Sequence, residues 1–122
     1  MDIEDFNRRW LEQWTAKSVE GVLSFYHDQI EYYDEGVPAG LKGKEALGAY
    51  LTGLFAAVPE WDYAPEWVQA IDGGFIGRWY MDFGTGAEAI KMRGFDHCKL
   101  QDGLIVFNEV YTHKFTPAAA AG

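Results

Sequence analysis

The stretch Ile90–Phe115, which reads IKMRGFDHCKLQDGLIVFNEVYTHKF, constrains the fold of this chain more than any other part of it. Two apolar-rich runs flank Gln101-Asp102-Gly103, and an Asp-Gly pair in such a setting is the strongest short-range signal for a β-hairpin. We therefore predict two long strands joined by a tight turn. The first strand carries Asp96 among apolar neighbours, and a carboxylate at the middle of a core strand is unfavourable unless it has a partner or a function. Asp96 is thus the first candidate functional residue.

The composition predicts a single domain built around an apolar site. A chain of 122 residues suits one domain and is too short for two. We assign residues 1–116 to this domain and residues 117–122 to a flexible tail. Phe, Tyr and Trp make up 16% of the chain, with five Trp among them, which is more than packing usually requires. This share suggests a wall of rings around a small hydrophobic molecule.

The charge pattern argues against several classes of partner. The chain has 19 acidic residues against 10 Lys and Arg, which gives a formal charge of −9. Nucleic acids and anionic membranes both attract clustered basic residues, so we expect neither as a partner. The N-terminus lacks the features of a signal peptide, no apolar run is long enough to span a membrane, and a single Cys excludes an internal disulfide framework. These features lead us to expect a cytoplasmic protein.

Three helices are predicted in the N-terminal half. Asp2 is a suitable N-cap for the first helix, and Ser18 is one for a short second helix. The first helix carries an apolar stripe at three- and four-residue spacing, formed by Ile3, Phe6, Trp10 and Trp14. The third helix is predicted over Lys44–Val58 from the 3.6-residue period of its apolar residues. Residues 36–43, which are rich in Gly and Pro, are predicted to form a loop before it.

The first strand is predicted at residues 29–35 from its alternation. Tyr32 and Asp34 share one face of this strand, whereas Glu31 and Glu35 occupy the other. A face with two glutamates should meet water, so we expect Asp34 to point inward beside Tyr32. A β-bulge between them would overturn this parity argument.

The element order predicts an α+β fold. Two more strands are expected at residues 62–71, where Pro65 indicates a sheet edge or a bulge, and at residues 75–83. With the C-terminal hairpin they would form a meander of four strands. Three helices gathered at one end of a curved, mainly antiparallel sheet would close it into a cone.

Several features together resemble the NTF2-like superfamily. They are the element order, the Tyr-Asp pair that ends the first strand, the loop before Gly43-Lys44-Glu45-Ala46, and the pattern Arg93-Gly94-Phe95-Asp96-His97 leading to Asp102-Gly103-Leu104-Ile105-Val106. Within the superfamily the sequence is similar to the SnoaL-like polyketide cyclases and the related ketosteroid isomerases. The resemblance extends from Asp2 to Phe115 and implies the NTF2-like cone.

The resemblance also implies catalytic roles. Asp34 occupies the position of the general-base aspartate of ketosteroid isomerases, and Asp96 that of the protonated aspartate that hydrogen-bonds the developing oxyanion. The second oxyanion donor of those isomerases is a tyrosine on the first helix, and here that position is Trp10, whose indole N–H is a donor of different shape. On this basis we expect a cofactor-free isomerase, cyclase or dehydratase that transfers a proton on a small hydrophobic carbonyl compound.

The inside of the predicted cone would bind the substrate. The residues assigned to substrate binding are Trp10, Trp14, Tyr32, Phe55, Met92 and Asn108. Asn108 shares an apolar strand face, where an amide is either a substrate donor or part of a buried network. The three His show no metal-ligand spacing, so no metal is expected, and Cys98 is predicted to be a buried thiol rather than a nucleophile.

The two carboxylates also admit a purely structural interpretation. Asp34 could cap the loop that follows it, and Asp96 could pair with a basic neighbour such as Arg78 or Arg93. The protein would then be a non-catalytic module that binds an apolar ligand or a partner chain.

The strand at residues 75–83 leaves a further alternative open. Arg78 and Asp82 alternate there with Trp79 and Phe83, and either set could face the cone. If the polar set faced inward, the site would resemble that of an epoxide hydrolase, which activates water with an Asp–Arg–Asp arrangement.

The outer face of the hairpin predicts a homodimer. This face mixes aromatic and charged side chains: Arg93, Phe95, His97, Phe107, Glu109 and Tyr111. Such a mixture is typical of an interface rather than of a solvated surface, and the resemblance implies homodimers through the same sheet face.

Overall fold

The computed structural model describes residues 1–117, within which lie three α-helices and six β-strands. The helices are α1 (Ile3–Thr15), α2 (Val19–Leu23) and α3 (Lys44–Ala57). The strands are β1 (Tyr26–Asp34), β2 (Val37–Lys42), β3 (Trp61–Ile71), β4 (Gly74–Phe83), β5 (Ile90–Gln101) and β6 (Leu104–Lys114), and a single 3-10 turn covers Gly86–Glu88. Of the tail predicted at residues 117–122, all but the first residue lies outside the described part of the chain.

The six strands form one mixed sheet in the order β2-β1-β6-β5-β4-β3. Strands β3 to β6 follow one another as an antiparallel meander, as the sequence predicts. The pairing of β1 with β6 is parallel, whereas that of β1 with β2 is antiparallel. The sheet stays open between its two edge strands, and the three helices complete an α+β cone of the NTF2-like type.

The hairpin between β5 and β6 has the predicted turn. Its register pairs Gln101 with Leu104, so two residues connect the strands. Those residues, Asp102 and Gly103, have φ angles of 55° and 76°. Positive φ at both central positions matches the right-handed twist of the flanking strands, which is why Asp-Gly is favoured there.

The loop predicted at residues 36–43 is wrong in part, because Val37–Lys42 forms the edge strand β2. A Pro is compatible with an edge strand, since the outer side of that strand needs no ladder hydrogen bonds. Gly40, with φ 91°, lies directly against the ring of Tyr33, and a Cβ there would come within 2.3 Å of that ring. The glycine therefore permits the close packing of β2 on β1 as well as the bend in the chain.

Strand β3 forms the other edge of the sheet, and both features that Pro65 indicates are present. The register with β4 shifts between Pro65 and Trp67, so the strand has a bulge at an edge position. Helix α1 packs against this edge strand.

Helices α1 and α2 begin at the predicted caps, and α1 and α3 pack against the sheet. Asp2 Oδ1 accepts a hydrogen bond from the Asp5 N–H at 3.1 Å, and Ser18 Oγ accepts one from the Gly21 N–H at 3.0 Å. In the apolar stripe of α1, Phe6, Trp10 and Trp14 are buried and Ile3 is partly buried. Trp10 packs edge-on against Tyr26 and Phe75. Among the described residues, no helix is long and apolar enough to cross a membrane.

Candidate active site

A cavity of about 410 Å³ lies between α1, α3 and the concave face of the sheet. Its lining is dominated by aromatic and aliphatic side chains, with three carboxylates among them. The lining residues are Leu11, Trp14, Tyr32, Asp34, Glu35, Gly36, Tyr50, Leu54, Val58, Trp61, Tyr63, Trp79, Met81, Phe83, Met92, Asp96, Val110 and Thr112. A mainly apolar cavity with a few convergent polar groups is the usual form of a small-molecule site.

Asp96 lies at the middle of β5 and is 4% exposed. The indole N–H of Trp79 donates to Asp96 Oδ2 at 2.7 Å, and the amide of Asn108 donates to Asp96 Oδ1 at 2.9 Å. Asn108 is held in turn by the Tyr26 hydroxyl, which donates to its Oδ1 at 2.7 Å. Each carboxylate oxygen of Asp96 therefore accepts one hydrogen bond from a neutral N–H donor.

Asp96 has no cationic partner within residues 1–117. The two arginines that could have paired with it are engaged elsewhere: Arg78 forms an ion pair with Glu66 at 3.0 Å, and Arg93 donates to His113 at 2.6 Å. The structural interpretation of Asp96 as half of an ion pair is therefore wrong. Burial raises the pKa of Asp96 to about 6, and the hydrogen bonds from Asn108 and Trp79 oppose that rise.

A small residue on the neighbouring strand permits the contact between Trp79 and Asp96. Trp79 pairs across the sheet with Gly94, and a Cβ at position 94 would lie 2.8 Å from the ring of Trp79. With only hydrogen there, the indole can lie across β5 and reach the carboxylate two residues further on.

Asp34 ends β1 and lines the cavity, as expected. Glu35, which was expected on the water-facing side, lines the cavity too, and the register between β1 and β2 shifts between Tyr32 and Asp34, so strict alternation does not describe this end of the strand. Its carboxylate accepts hydrogen bonds from the Tyr32 hydroxyl at 2.8 Å and from the Tyr50 hydroxyl at 2.9 Å. It also accepts from the backbone N–H groups of Gly36 and Val37, at 2.8 and 3.1 Å. Asp34 thus caps the turn into β2 as well as contributing charge to the cavity.

The six residues assigned to substrate binding divide into two groups. Trp14, Tyr32 and Met92 line the cavity. The other three are buried and lie outside the cavity lining: Trp10 packs edge-on against Phe75, Phe55 packs edge-on against Trp14 and Trp61, and Asn108 donates to Asp96. The apolar pattern of α1 could not separate residues that line the cavity from residues in the core, because apolar side chains occupy both kinds of position.

Of the two sets of side chains that alternate along β4, the apolar set faces the cavity. Trp79, Met81 and Phe83 line the cavity. Arg78 and Asp82 point to the other side of the sheet, where Asp82 pairs with Lys91 at 2.8 Å. The inward Asp–Arg–Asp arrangement of the epoxide-hydrolase alternative is therefore not formed by this strand.

With this geometry in view, comparison of the sequence with protein families gives one assignment. The family model described as SnoaL-like domain matches residues 7–108, which is most of the chain. The chain belongs to the SnoaL-like domain family. Among curated protein sequences, none matches this SnoaL-like domain.

Solved structures share its fold at low sequence identity. An NTF2-like protein from Exiguobacterium sp. 255-15 has a TM-score of 0.72 at 18% identity, over 87% of this chain and 96% of that one. TerC, crystallised with polyporic acid, has a TM-score of 0.71 at 15% identity, over 84% of this chain and 85% of that one. An LEH-like epoxide hydrolase from M. tuberculosis has a TM-score of 0.70 at 12% identity, over 87% and 78%. These likenesses establish the NTF2-like fold of the SnoaL-like domain.

Two tyrosines of this SnoaL-like domain were not among the predicted site residues. Tyr50 was assigned to the apolar period of α3, but its hydroxyl bonds Asp34 at the cavity wall. Tyr63 lines the cavity from β3, and its hydroxyl has no hydrogen-bond partner within residues 1–117. Burial raises the pKa of Tyr63, so that its hydroxyl stays protonated and able to donate. The shared parity of Trp61 and Tyr63 in β3 was a signal that could have indicated this position.

The remaining reactive side chains of the SnoaL-like domain lie outside the cavity lining. Cys98 is fully buried, as predicted, and burial raises the pKa of its thiol, which keeps it protonated. In the part of the chain that the structure describes, no group of three or more His, Cys, Asp or Glu residues is arranged to hold a metal ion.

Proposed function

We propose that this SnoaL-like domain transfers a proton on a small, mainly apolar carbonyl compound without a cofactor, and that Asp96 is the acid–base group. The observation that carries the proposal is the environment of Asp96. It is a carboxylate buried in the wall of an apolar cavity, and its partners are neutral N–H donors. A carboxylate whose pKa has been raised towards neutrality is suited to both accept and return a proton.

The hydrogen bonds to Asp96 favour a base over a neutral donor. The N–H groups of Trp79 and Asn108 can only donate, and donors on both oxygens stabilise the ionised form. With a pKa of about 6, Asp96 is mostly ionised near neutral pH. This assignment differs from the role that the ketosteroid isomerase resemblance implies, in which the corresponding aspartate is protonated.

The proposed reaction assigns roles to three polar residues of the cavity. Asp96 takes a proton from a carbon next to the carbonyl, and the electron pair of the broken C–H bond moves to the carbonyl oxygen as an enolate. Tyr63, whose hydroxyl is otherwise unpaired within the described residues, donates a hydrogen bond to that oxygen. Asp96 then returns its proton to the same or another carbon, which completes an isomerisation or cyclisation. Asp34 stabilises the turn and holds the hydroxyls of Tyr32 and Tyr50.

Proton exchange with solvent provides a test that does not require the natural substrate. The probe is 2-tetralone, a two-ring aromatic ketone with exchangeable protons next to its carbonyl. Its hydrogen–deuterium exchange in D2O is followed by NMR with and without protein. We expect the protein to accelerate exchange and Asp96→Asn to abolish the acceleration.

The matched control is Asp82→Asn, which removes one carboxylate of an exposed ion pair on the other face of the sheet. We expect this variant to keep the acceleration. Equal exchange rates for the wild type and Asp96→Asn would overturn the proposal. Binding of 2-tetralone without any exchange would support the alternative of a non-catalytic ligand-binding module.

A further inference from the structure

We infer that the natural ligand of this cavity carries a positive charge, as a protonated or quaternary amine. The inference rests on the proposed function only in placing the ligand in the same cavity. It adds the chemical class of that ligand, which the requirement for a carbonyl group leaves undefined.

The charge of the cavity wall is negative and not balanced by the protein. Asp34, Glu35 and Asp96 line the cavity, whereas its described lining contains no Lys, Arg or His. The nearby bases of β4 and β5 are paired on the opposite face of the sheet, Arg78 with Glu66 and Lys91 with Asp82. Glu35 is exposed and Asp34 is partly buried, but Asp96 is buried. Beside Asp96 an anionic ligand would meet like charge in a region of low dielectric, whereas a cation would supply the missing counter-charge.

The aromatic part of the wall favours a cation for an independent reason. Trp14 and Tyr32 are stacked with ring centroids 6.3 Å apart, and Tyr63 lies between Trp61 and Trp79 with centroids at 5.4 and 4.9 Å. The faces of such rings carry partial negative charge and attract ammonium groups, most strongly when water is excluded.

Apart from the hydroxyls of Tyr63 and Thr112, the hydrogen-bond donors of the wall are directed to protein acceptors. The hydroxyl protons of Tyr32 and Tyr50 are directed to Asp34, and the indole N–H groups of Trp61 and Trp79 are directed to the Trp14 carbonyl and to Asp96. A ligand that brings its own N–H donors complements these acceptors, whereas a carboxylate or phosphate does not.

A cationic ligand would also assist the proposed proton transfer. Removal of a proton next to a carbonyl places negative charge on the carbonyl oxygen, and the described wall offers no cation to stabilise it. A positively charged nitrogen close to that carbonyl within the ligand would supply the stabilisation and make the C–H bond more acidic.

The test compares three probes that share one ring system and differ in charge. They are 2-(aminomethyl)naphthalene, which is protonated at neutral pH, neutral 2-naphthalenemethanol and anionic 2-naphthoate. Their dissociation constants are measured by isothermal titration calorimetry at one ionic strength. We expect the amine to bind at least about tenfold more tightly than the alcohol, since a charge pair in a partly desolvated site is worth more than one in water. We expect no measurable binding of the naphthoate.

Two variants with the same change in net charge show whether the preference for the amine arises inside the cavity. Asp96→Asn should remove most of the preference for the amine, whereas Asp82→Asn on the outer face should preserve it. Equal effects of the two variants would assign the preference to the overall charge of −9 and overturn the inference. Binding of the alcohol as tight as that of the amine, or no binding of the amine, would overturn it from wild-type data alone.

The result of this binding test can be distinguished from the result of the exchange test of the proposed function. The naphthalene probes have no carbonyl group with an exchangeable neighbouring proton, so their binding does not depend on catalysis. Exchange of 2-tetralone without a preference for the amine would overturn the ligand class and leave the proton transfer in place.

Discussion

The indole N–H of Trp79 donates a hydrogen bond to Asp96 Oδ2 at 2.7 Å, and both side chains are almost fully buried. This contact joins adjacent strands and places a polar pair in the wall of an aromatic cavity. It opposes the effect of burial on the pKa of Asp96, because it stabilises the ionised carboxylate.

Trp79→Phe removes this donor while keeping an aromatic ring. One hydrogen bond to a buried carboxylate is worth about 1.5–3 kcal/mol, so its loss should raise the pKa of Asp96 by about one to two units. A base must be ionised to act, so the acid limb of the pH–rate profile of 2-tetralone exchange should move to higher pH. Trp61→Phe is the matched control, because the Trp61 indole donates to the Trp14 carbonyl instead. An unchanged limb in Trp79→Phe would contradict the role of the contact.

The free energy of unfolding should depend on pH because of the titration of Asp96. Its pKa of about 6 in the folded state exceeds the ordinary 3.8, so between these values the folded state binds more protons than the unfolded state. The contribution of Asp96 to stability is therefore greatest below about pH 4 and is lost as the pH rises to about 6, with a change on the order of 3 kcal/mol. Urea unfolding of the wild type and Asp96→Asn across this range measures it. A constant difference between the two would show that Asp96 titrates normally.

Tyr63→Phe should lower the rate of proton transfer and leave binding intact. The ring packs between Trp61 and Trp79 and remains in the variant, while the hydroxyl is lost. Loss of one oxyanion donor reduces kcat by about a hundredfold or more in enzymes that depend on it. Saturation kinetics of 2-tetralone exchange should show this change in kcat with little change in KM. Tyr80→Phe, on the outer face, serves as the control, and a change in KM alone would argue that Tyr63 only contributes to binding.

Asp34→Asn should affect stability more than proton transfer. The carboxylate accepts hydrogen bonds from Tyr32, Tyr50 and two backbone N–H groups, and an amide can satisfy only part of this set. We expect a loss of about 1–3 kcal/mol in the free energy of unfolding, with exchange of 2-tetralone still accelerated. Denaturant titration and the exchange assay measure the two effects separately. Abolished exchange in a variant of wild-type stability would instead make Asp34 the base.

The outer sheet face should form a homodimer. Phe95 and Tyr111 are 37% and 48% exposed there and stack on each other with ring centroids 4.9 Å apart. Exposed stacked rings of this kind are typical of interfaces. Light scattering at micromolar concentration should give the mass of two chains for the wild type and of one chain for Phe95→Lys. A monomeric wild type would contradict the prediction, and Thr52→Lys, at an exposed position of α3 away from this sheet face, is a control that should remain dimeric.

Local patterns in the sequence determined most of the elements and part of the site. The Asp-Gly turn, the helix caps and the apolar stripe of α1 each depend on residues close together in the chain. They can therefore be predicted from the sequence. Asp34 and Asp96, which the sequence indicates as candidate functional residues, both line the cavity, although the register between β1 and β2 shifts between Tyr32 and Asp34. The resemblance to the NTF2-like superfamily supplied the overall arrangement.

The tertiary structure alone decided what surrounds those carboxylates. Trp79 and Asn108 reach Asp96 from neighbouring strands, at separations of 17 and 12 residues, and such partners follow from the register between strands. The strand β2 formed in a segment rich in Gly and Pro because an edge position accepts both. The sequence determined that an acidic side chain would be buried in an aromatic core. Only packing decided that its partners are neutral donors rather than arginines, and the pKa and the proposed chemistry of Asp96 follow from that difference.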